Sequence, residues 1–245
     1  MIDLEGSVAI ITGSSSGIGE ATATQLALAG ASVVVNSSSS VEAGEAVSES
    51  LPTDSIYVQA DISDVRQCQM LVDRTVGRFG RLDILVNNAG WTTPVAHSDL
   101  EALTDEILMR TFEVNVFGTW HLTRAAMPFL SDSDRGTVVN VTSVAGIRPV
   151  GSSIAYAMSK AALNHLTLLL AKACAPVRVN AVAPGLIDTP WTAGFDAVRR
   201  QVEAEAPLAR SGRPDEIAEA IVALVTNSYV TGEIMVVDGG VDLVR

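Results

Sequence analysis

Val8-Ala9-Ile10-Ile11-Thr12-Gly13-Ser14-Ser15-Ser16-Gly17-Ile18-Gly19 is the stretch that decides the fold. Its first four residues are apolar and largely branched, which predicts a strand buried on both faces, as in a parallel sheet. Glycines at 13, 17 and 19 follow, and a helix-compatible segment comes directly after them. Glycines let the backbone turn tightly and approach a pyrophosphate. The helix N-terminus behind them offers unpaired N–H groups and a partial positive charge. A glycine-rich turn alone means little, but between a buried strand and a helix it points to a dinucleotide.

The same alternation continues along the chain. Short apolar runs at 8–11, 32–35, 56–58, 82–86, 137–141, 177–182 and 234–237 predict seven strands. Helix-compatible segments lie at 19–29, 41–50, 64–78, 105–130, 154–173 and 215–225. This pattern predicts one α/β domain over residues 1–245, a doubly wound, mostly parallel Rossmann-type sheet with helices on both faces. Residues 186–213 hold Pro190, Gly194, Pro207 and Gly212 with weak periodicity, and read as a short substrate lid.

Charge and composition narrow the function. Of 245 residues 28 are acidic and 16 basic, a net charge of −12, which speaks against nucleic acid or an anionic membrane as partner. Only Lys160 and Lys172 are lysines. Cys68 and Cys174 lack any disulfide or zinc spacing, and His97, His121 and His165 share no ligand spacing, so no metal is expected. The start Met1-Ile2-Asp3-Leu4-Glu5 has no positive n-region, and no apolar stretch is long enough to span a bilayer. A cytoplasmic protein is the expectation.

The spacing Thr12-Gly13, Gly17-Ile18-Gly19 resembles the opening T-G-x-x-x-G-I-G motif of the short-chain dehydrogenase/reductase family. The resemblance continues through Asp61-Ile62, Asn87-Asn88-Ala89-Gly90, Asn115, Ser143, Tyr156-x-x-x-Lys160, Pro184-Gly185 and Thr189. It implies a nicotinamide dinucleotide lying on Gly13, Ser15, Ser16, Gly17, Ile18 and Gly19, with its adenine at Asp61 and Ile62. Asn88, Ala89 and Gly90 would line the cleft, and Pro184, Gly185, Ile187 and Thr189 would hold the nicotinamide end.

At the end of the second strand an NAD-binding fold usually carries an acid that grips the adenosine ribose. That place falls on Ser37, flanked by Asn36 and Ser38, all of which could donate to a 2′-phosphate. NADP(H) is therefore expected over NAD(H), although Ser16 and Ser38 stand where phosphate-binding members carry Arg or Lys.

Tyr156 and Lys160 are four apart and share one face of a helix. A neighbouring ammonium should lower the phenol's pKa from about 10 toward the working pH. Ser143 would hydrogen-bond a substrate carbonyl or hydroxyl, with Tyr156 as acid or base and Lys160 tuning it. The main chain of Asn115 would, by the same resemblance, position a water beside the lysine.

A small carbonyl or secondary alcohol is thus the expected partner, and Trp91, Trp191 and Phe195 suggest a bulky, apolar one. A 3-oxoacyl-carrier-protein reductase is an alternative, which the acidic segment Ser131-Asp132-Ser133-Asp134-Arg135 speaks against. A cofactor-binding sensor without turnover is another, although such proteins usually lack one of the serine, tyrosine and lysine. The resemblance also implies a homotetramer built on the helices at 105–130 and 154–173 and on the C-terminal strand.

Overall fold

Seven branched apolar runs form one sheet: β1 (Val8–Ile11), β2 (Ser32–Ser37), β3 (Ser55–Gln59), β4 (Ile84–Asn87), β5 (Thr137–Val141), β6 (Arg178–Pro184) and β7 (Ile234–Val237). The computed structural model describes residues 3–244; Met1 and Ile2, part of the start read for a leader, and Arg245 lie outside them. Strand order is β3-β2-β1-β4-β5-β6-β7, and every pairing is parallel. The order reverses between β1 and β4, the point where such sheets open a crevice beyond their carboxyl ends.

Successive strand residues face opposite sides. Ala9, Ile11, Val33 and Val35 pack with Ala23 and Leu26 of α1 (Gly17–Leu28) and Ile217 and Ile221 of the last long helix, Pro214–Thr226. Ile10, Val34, Leu85 and Val138 pack on the other face. Their neighbours there are Leu71 and Val72 of Val65–Phe79, and Leu122 and Ala126 of Thr119–Asp132. With Val41–Ser50 as α2, the helices in chain order are α3 (Val65–Phe79), α4 (Asp105–Phe112), α5 (Thr119–Asp132), α6 (Ile154–Ala173), α7 (Asp196–Glu205) and α8 (Pro214–Thr226).

The boundaries have local causes. Asp64 caps α3 by accepting from Arg66 N, and the helix ends on Gly80, whose φ of +76° suits a left-handed C-terminal turn. Ser153 caps α6 by accepting from Tyr156 N at 3.1 Å. The expected single helix at 105–130 is instead broken: residues Glu113–Gly118 form a π-helical segment between α4 and α5. β4 starts at Ile84 rather than at 82, and just before it the Asp83 side chain accepts from Val8 N at 2.8 Å.

Segment 186–213 carries a 3-10 turn, Pro190–Thr192, and α7, tied back by a bridge between Ile187 and Gly212. Among the described residues no helix is long and apolar enough to cross a membrane.

Candidate active site

One cleft opens at the carboxyl ends of β1, β4, β5 and β6. At its floor Gly13 adopts φ +62°, and a Cβ there would stand 3.0 Å from Ala89 Cα. A Cβ on Gly19 would fall 2.6 Å from Asn88 Nδ2 and 2.8 Å from Ser14 Cα. Gly19 thus serves close packing beneath the turn, while Gly13, Ser15, Ser16, Gly17 and Ile18 line the opening. Ser16 caps α1 without a side-chain hydrogen bond, so the first-turn N–H groups are left to an anion.

Asn88 braces the glycine turn. Its Nδ2 donates to Thr12 O at 2.8 Å and Gly13 O at 3.1 Å, while Thr12 Oγ1 accepts from Asn88 N and Ala89 N. Asn88, Ala89 and Gly90 line the same opening.

At the adenine end the structure corrects one expectation. Asn36 is buried, and its amide donates to Val58 O at 3.0 Å and Ala60 O at 3.1 Å. It ties β2 to β3 and has no donor left for a phosphate. The Ser37 hydroxyl is shared between Ser40 O and the Tyr57 hydroxyl, which leaves Ser38 and Ser40 as the accessible lining hydroxyls just beyond β2.

Asp61 and Ile62 line the cleft. Burial pushes the Asp61 carboxyl up, but hydrogen bonds from Ser63 and the Arg110 guanidinium outweigh it and hold the group below the ordinary value. The cap role that competes for an acid here belongs to Asp64.

Ser143, Tyr156 and Lys160 meet at the opposite end. Ser143, just beyond β5, is extended, and its Oγ accepts from Ala145 N at 3.1 Å. Tyr156 occupies the first turn of α6, and Lys160 lies one turn on with its Nζ 5.6 Å from the phenol ring centre. Lys160 is buried and donates to Val141 O at 2.8 Å. Its burial lowers the ammonium pKa to about 8.

The expected depression of the tyrosine is reversed in this protein as it stands: burial pushes Tyr156 up to about 12, and the Ser143 hydrogen bond offsets only part of that. Desolvation disfavours the phenolate, and in a buried site it decides the direction of the shift.

Asn115 sits in the π segment, outside the cleft lining. Its Oδ1 accepts from Trp91 N at 2.7 Å, and its Nδ2 donates to Trp91 O at 3.0 Å and Ser159 Oγ at 2.9 Å. It thus clamps the end of the Asn-Asn-Ala-Gly segment against α6. Its main-chain carbonyl accepts from Thr119 Oγ1. Pro184, Gly185, Ile187 and Thr189 complete the wall, with Thr189 packed on Gly17 and facing Thr192.

Trp191 reaches across the mouth, 3.6 Å from where a Gly90 Cβ would stand, and Trp91 lines the cleft beside it. Phe195 is not part of the lining. Arg110, Val114, Thr142 and Ser40 line it without having been anticipated. Only chain packing brings residue 110 beside residue 61, so the sequence carried no local signal for it.

The residues present fit a nicotinamide dinucleotide: a cradle that side chains would fill, bare helix N–H groups, a carboxylate at one end and an ammonium at the other. Cys68 is no rival nucleophile, since burial pushes its thiol to about 12. Among the described residues no group of three or more His, Cys, Asp or Glu side chains could hold a metal.

Known proteins resemble this chain over nearly its whole length. A family model described as enoyl-(acyl carrier protein) reductase matches residues 13–242. A Streptomyces violaceoruber protein named as a ketoacyl reductase of the granaticin polyketide synthase is 51% identical over 243 residues, 98% of this chain and 97% of that one. The 3-oxoacyl-[acyl-carrier-protein] reductase of Thermotoga maritima is 37% identical over 97% of this chain and 98% of its own. A Mycobacterium marinum short-chain type dehydrogenase/reductase structure superposes with a TM-score of 0.91 at 32% identity, covering 98% and 97% of the two chains. With a glycine turn, a serine, a tyrosine and a lysine in one cleft, and relatives matched over nearly their whole length, the chain belongs to the short-chain dehydrogenase/reductase family, oxidoreductases that use a nicotinamide cofactor on CH–OH or C=O groups.

Proposed function

We propose that this protein reduces a ketone with NADPH, Tyr156 giving its proton to the carbonyl oxygen. The observation that carries this reading is the meeting of Ser143, Tyr156 and Lys160 in the cleft that also holds the glycine cradle. A bound nicotinamide would supply the hydride.

Ser143 Oγ and Tyr156 Oη hold the substrate oxygen between them and orient its carbon. A phenol pushed up to about 12 is protonated at neutral pH, the form that a reduction needs. Lys160, still mostly charged at pH 7 with its pKa of about 8, favours the phenolate left after transfer. Trp91 and Trp191 line the opening with apolar surface, which favours a bulky, apolar ketone.

NADPH is preferred because no acid stands at the end of β2 to repel a 2′-phosphate, and Ser38 and Ser40 remain free to donate to it. Titrating the protein with NADPH and NADH by fluorescence tests this, and tighter NADH binding would refute it. The reaction is tested by following NADPH at 340 nm with ketosteroids, quinones, sugars and β-ketoacyl thioesters, and no oxidation with any of them would refute it.

Reduction of a 3-oxoacyl thioester is the second reading, favoured by the names of the two curated relatives. Against it stands the acidic segment 131–135 before β5, since a carrier protein is itself acidic. The protein is further proposed to be a homotetramer, because α6 and the π segment with α5 leave Phe117, Trp120, Met158, Leu168 and Leu169 exposed. Light scattering after gel filtration tests that.

A further inference from the structure

Two cationic side chains line the cleft, Lys160 at the catalytic end and Arg110 at the far end. The Arg110 guanidinium forks over the Asp61 turn: Nη1 donates to Ser63 Oγ at 3.0 Å, and Nη2 lies 3.4 Å from Asp61 Oδ2.

The two Asp61 oxygens are unequally occupied. Oδ1 is taken by Ser63 N at 2.9 Å and Ser63 Oγ at 2.7 Å. Among the described residues Oδ2 has only the long contact from Arg110, and it keeps lone pairs for a donor arriving from the cleft. An exocyclic amine on a purine is such a donor, and an oxygen at the same position would meet repulsion.

We propose that Arg110 is a positioning residue that, through Ser63 and Asp61, aims the free carboxylate oxygen at the exocyclic amine of the cofactor's purine and so sets the preference for adenine. The proposal rests on the dinucleotide reading of the cleft. Arg110 reaches both partners because its fork offers separate nitrogens to the hydroxyl and to the carboxylate, which an ammonium cannot reproduce with the same geometry. It also offsets the Asp61 charge in front of an incoming polyanion. Glu113 Oε2, 3.7 Å away, is its other acidic neighbour.

The test is binding, without substrate: fluorescence titration with NADPH and with its 6-deamino (hypoxanthine) analogue, and the NADH pair alongside. The wild type should prefer adenine by about tenfold, the size of one hydrogen bond to a charged group. R110M should reduce that preference to about twofold or less with thermal unfolding essentially unchanged, since an exposed ion pair contributes little to stability. R110K should recover part of it. D61N should lose the preference by itself, and adding R110M to D61N should change nothing further.

If R110M weakens both dinucleotides equally and leaves their ratio intact, Arg110 acts only as a charge and the assignment fails. If D61N loses the ratio and R110M keeps it, the assignment fails while the dinucleotide reading stands. A wild type that binds none of the four would remove both.

Discussion

Two buried charges sit at opposite ends of the sheet, and they are treated differently. Asp83, at the amino end before β4, is fully buried, and both its oxygens are occupied. Oδ2 accepts from Val8 N and Arg81 Nε, each at 2.8 Å; Oδ1 accepts from Arg81 Nη2 at 2.7 Å and from Ser133 Oγ. Burial pushes its carboxyl up, but these donors outweigh burial and hold it below the ordinary value.

Lys160, at the carboxyl end, is almost as buried, yet among the described residues its hydrogen bond is the one to Val141 O. Nothing offsets its desolvation, and its pKa falls to about 8. The structural charge is saturated with partners. The charge to which the proposed reaction gives a chemical role is left with donors to spare, at a cost in stability.

The largest effect expected from testing this contrast is at Lys160's neighbour. Tyr156→Phe removes the proposed proton donor and should lower kcat about 10³-fold, within the usual range for general acids, with dinucleotide binding by fluorescence little changed. Retained turnover would break the catalytic side of the comparison.

Asp83→Asn comes next. It strips the charge from a saturated site and should lower stability by about 3 kcal/mol, a Tm fall of roughly 10 °C. Because the folded pKa of Asp83 lies below its unfolded value, its contribution is present above the unfolded pKa and is lost as pH falls through the folded one. The variant's unfolding midpoint should therefore change less with acid than the wild type's.

Lys160→Met is the subtlest. Its folded pKa of about 8 lies below the ordinary 10.5, so between those values the unfolded chain holds more protons and wild-type stability rises with pH. The slope approaches about 1.4 kcal/mol per pH unit at most. In the methionine variant this rise should vanish, and at pH 7 the protein should be as stable as the wild type or more so, though inactive. Denaturant midpoints between pH 7.5 and 9.5 measure it, and an unchanged slope would mean that Lys160 carries no desolvation penalty.

The sheet and the cleft were legible in sequence for the same reason: both depend on residues close together in the chain. The β1–glycine–α1 run, Asn88 to Gly90 and the Tyr156–Lys160 spacing each lie within a few residues of one another. What sequence missed depends on contacts across the fold. Asn36 looked free at a strand end until Val58 O and Ala60 O took its amide. Arg110 became part of the cleft only when α4 was laid beside residue 61. The direction of the Tyr156 shift turned on burial, which a spacing of four residues does not report.

The π segment Glu113–Gly118 has a consequence for how this stretch can vary. Each α-helical residue turns the chain by about 100°, so one residue gained or lost rotates everything beyond it by that angle. The segment sets the phase between α4, which presents Arg110 to the cleft, and α5, which buries Leu122 and Ala126 under the sheet. A single-residue deletion there would leave each helix intact and put their working faces out of step. Length between 105 and 132 is thus constrained beyond what any single side chain there requires, and insertions and deletions should not be tolerated even at positions whose side chains can be exchanged.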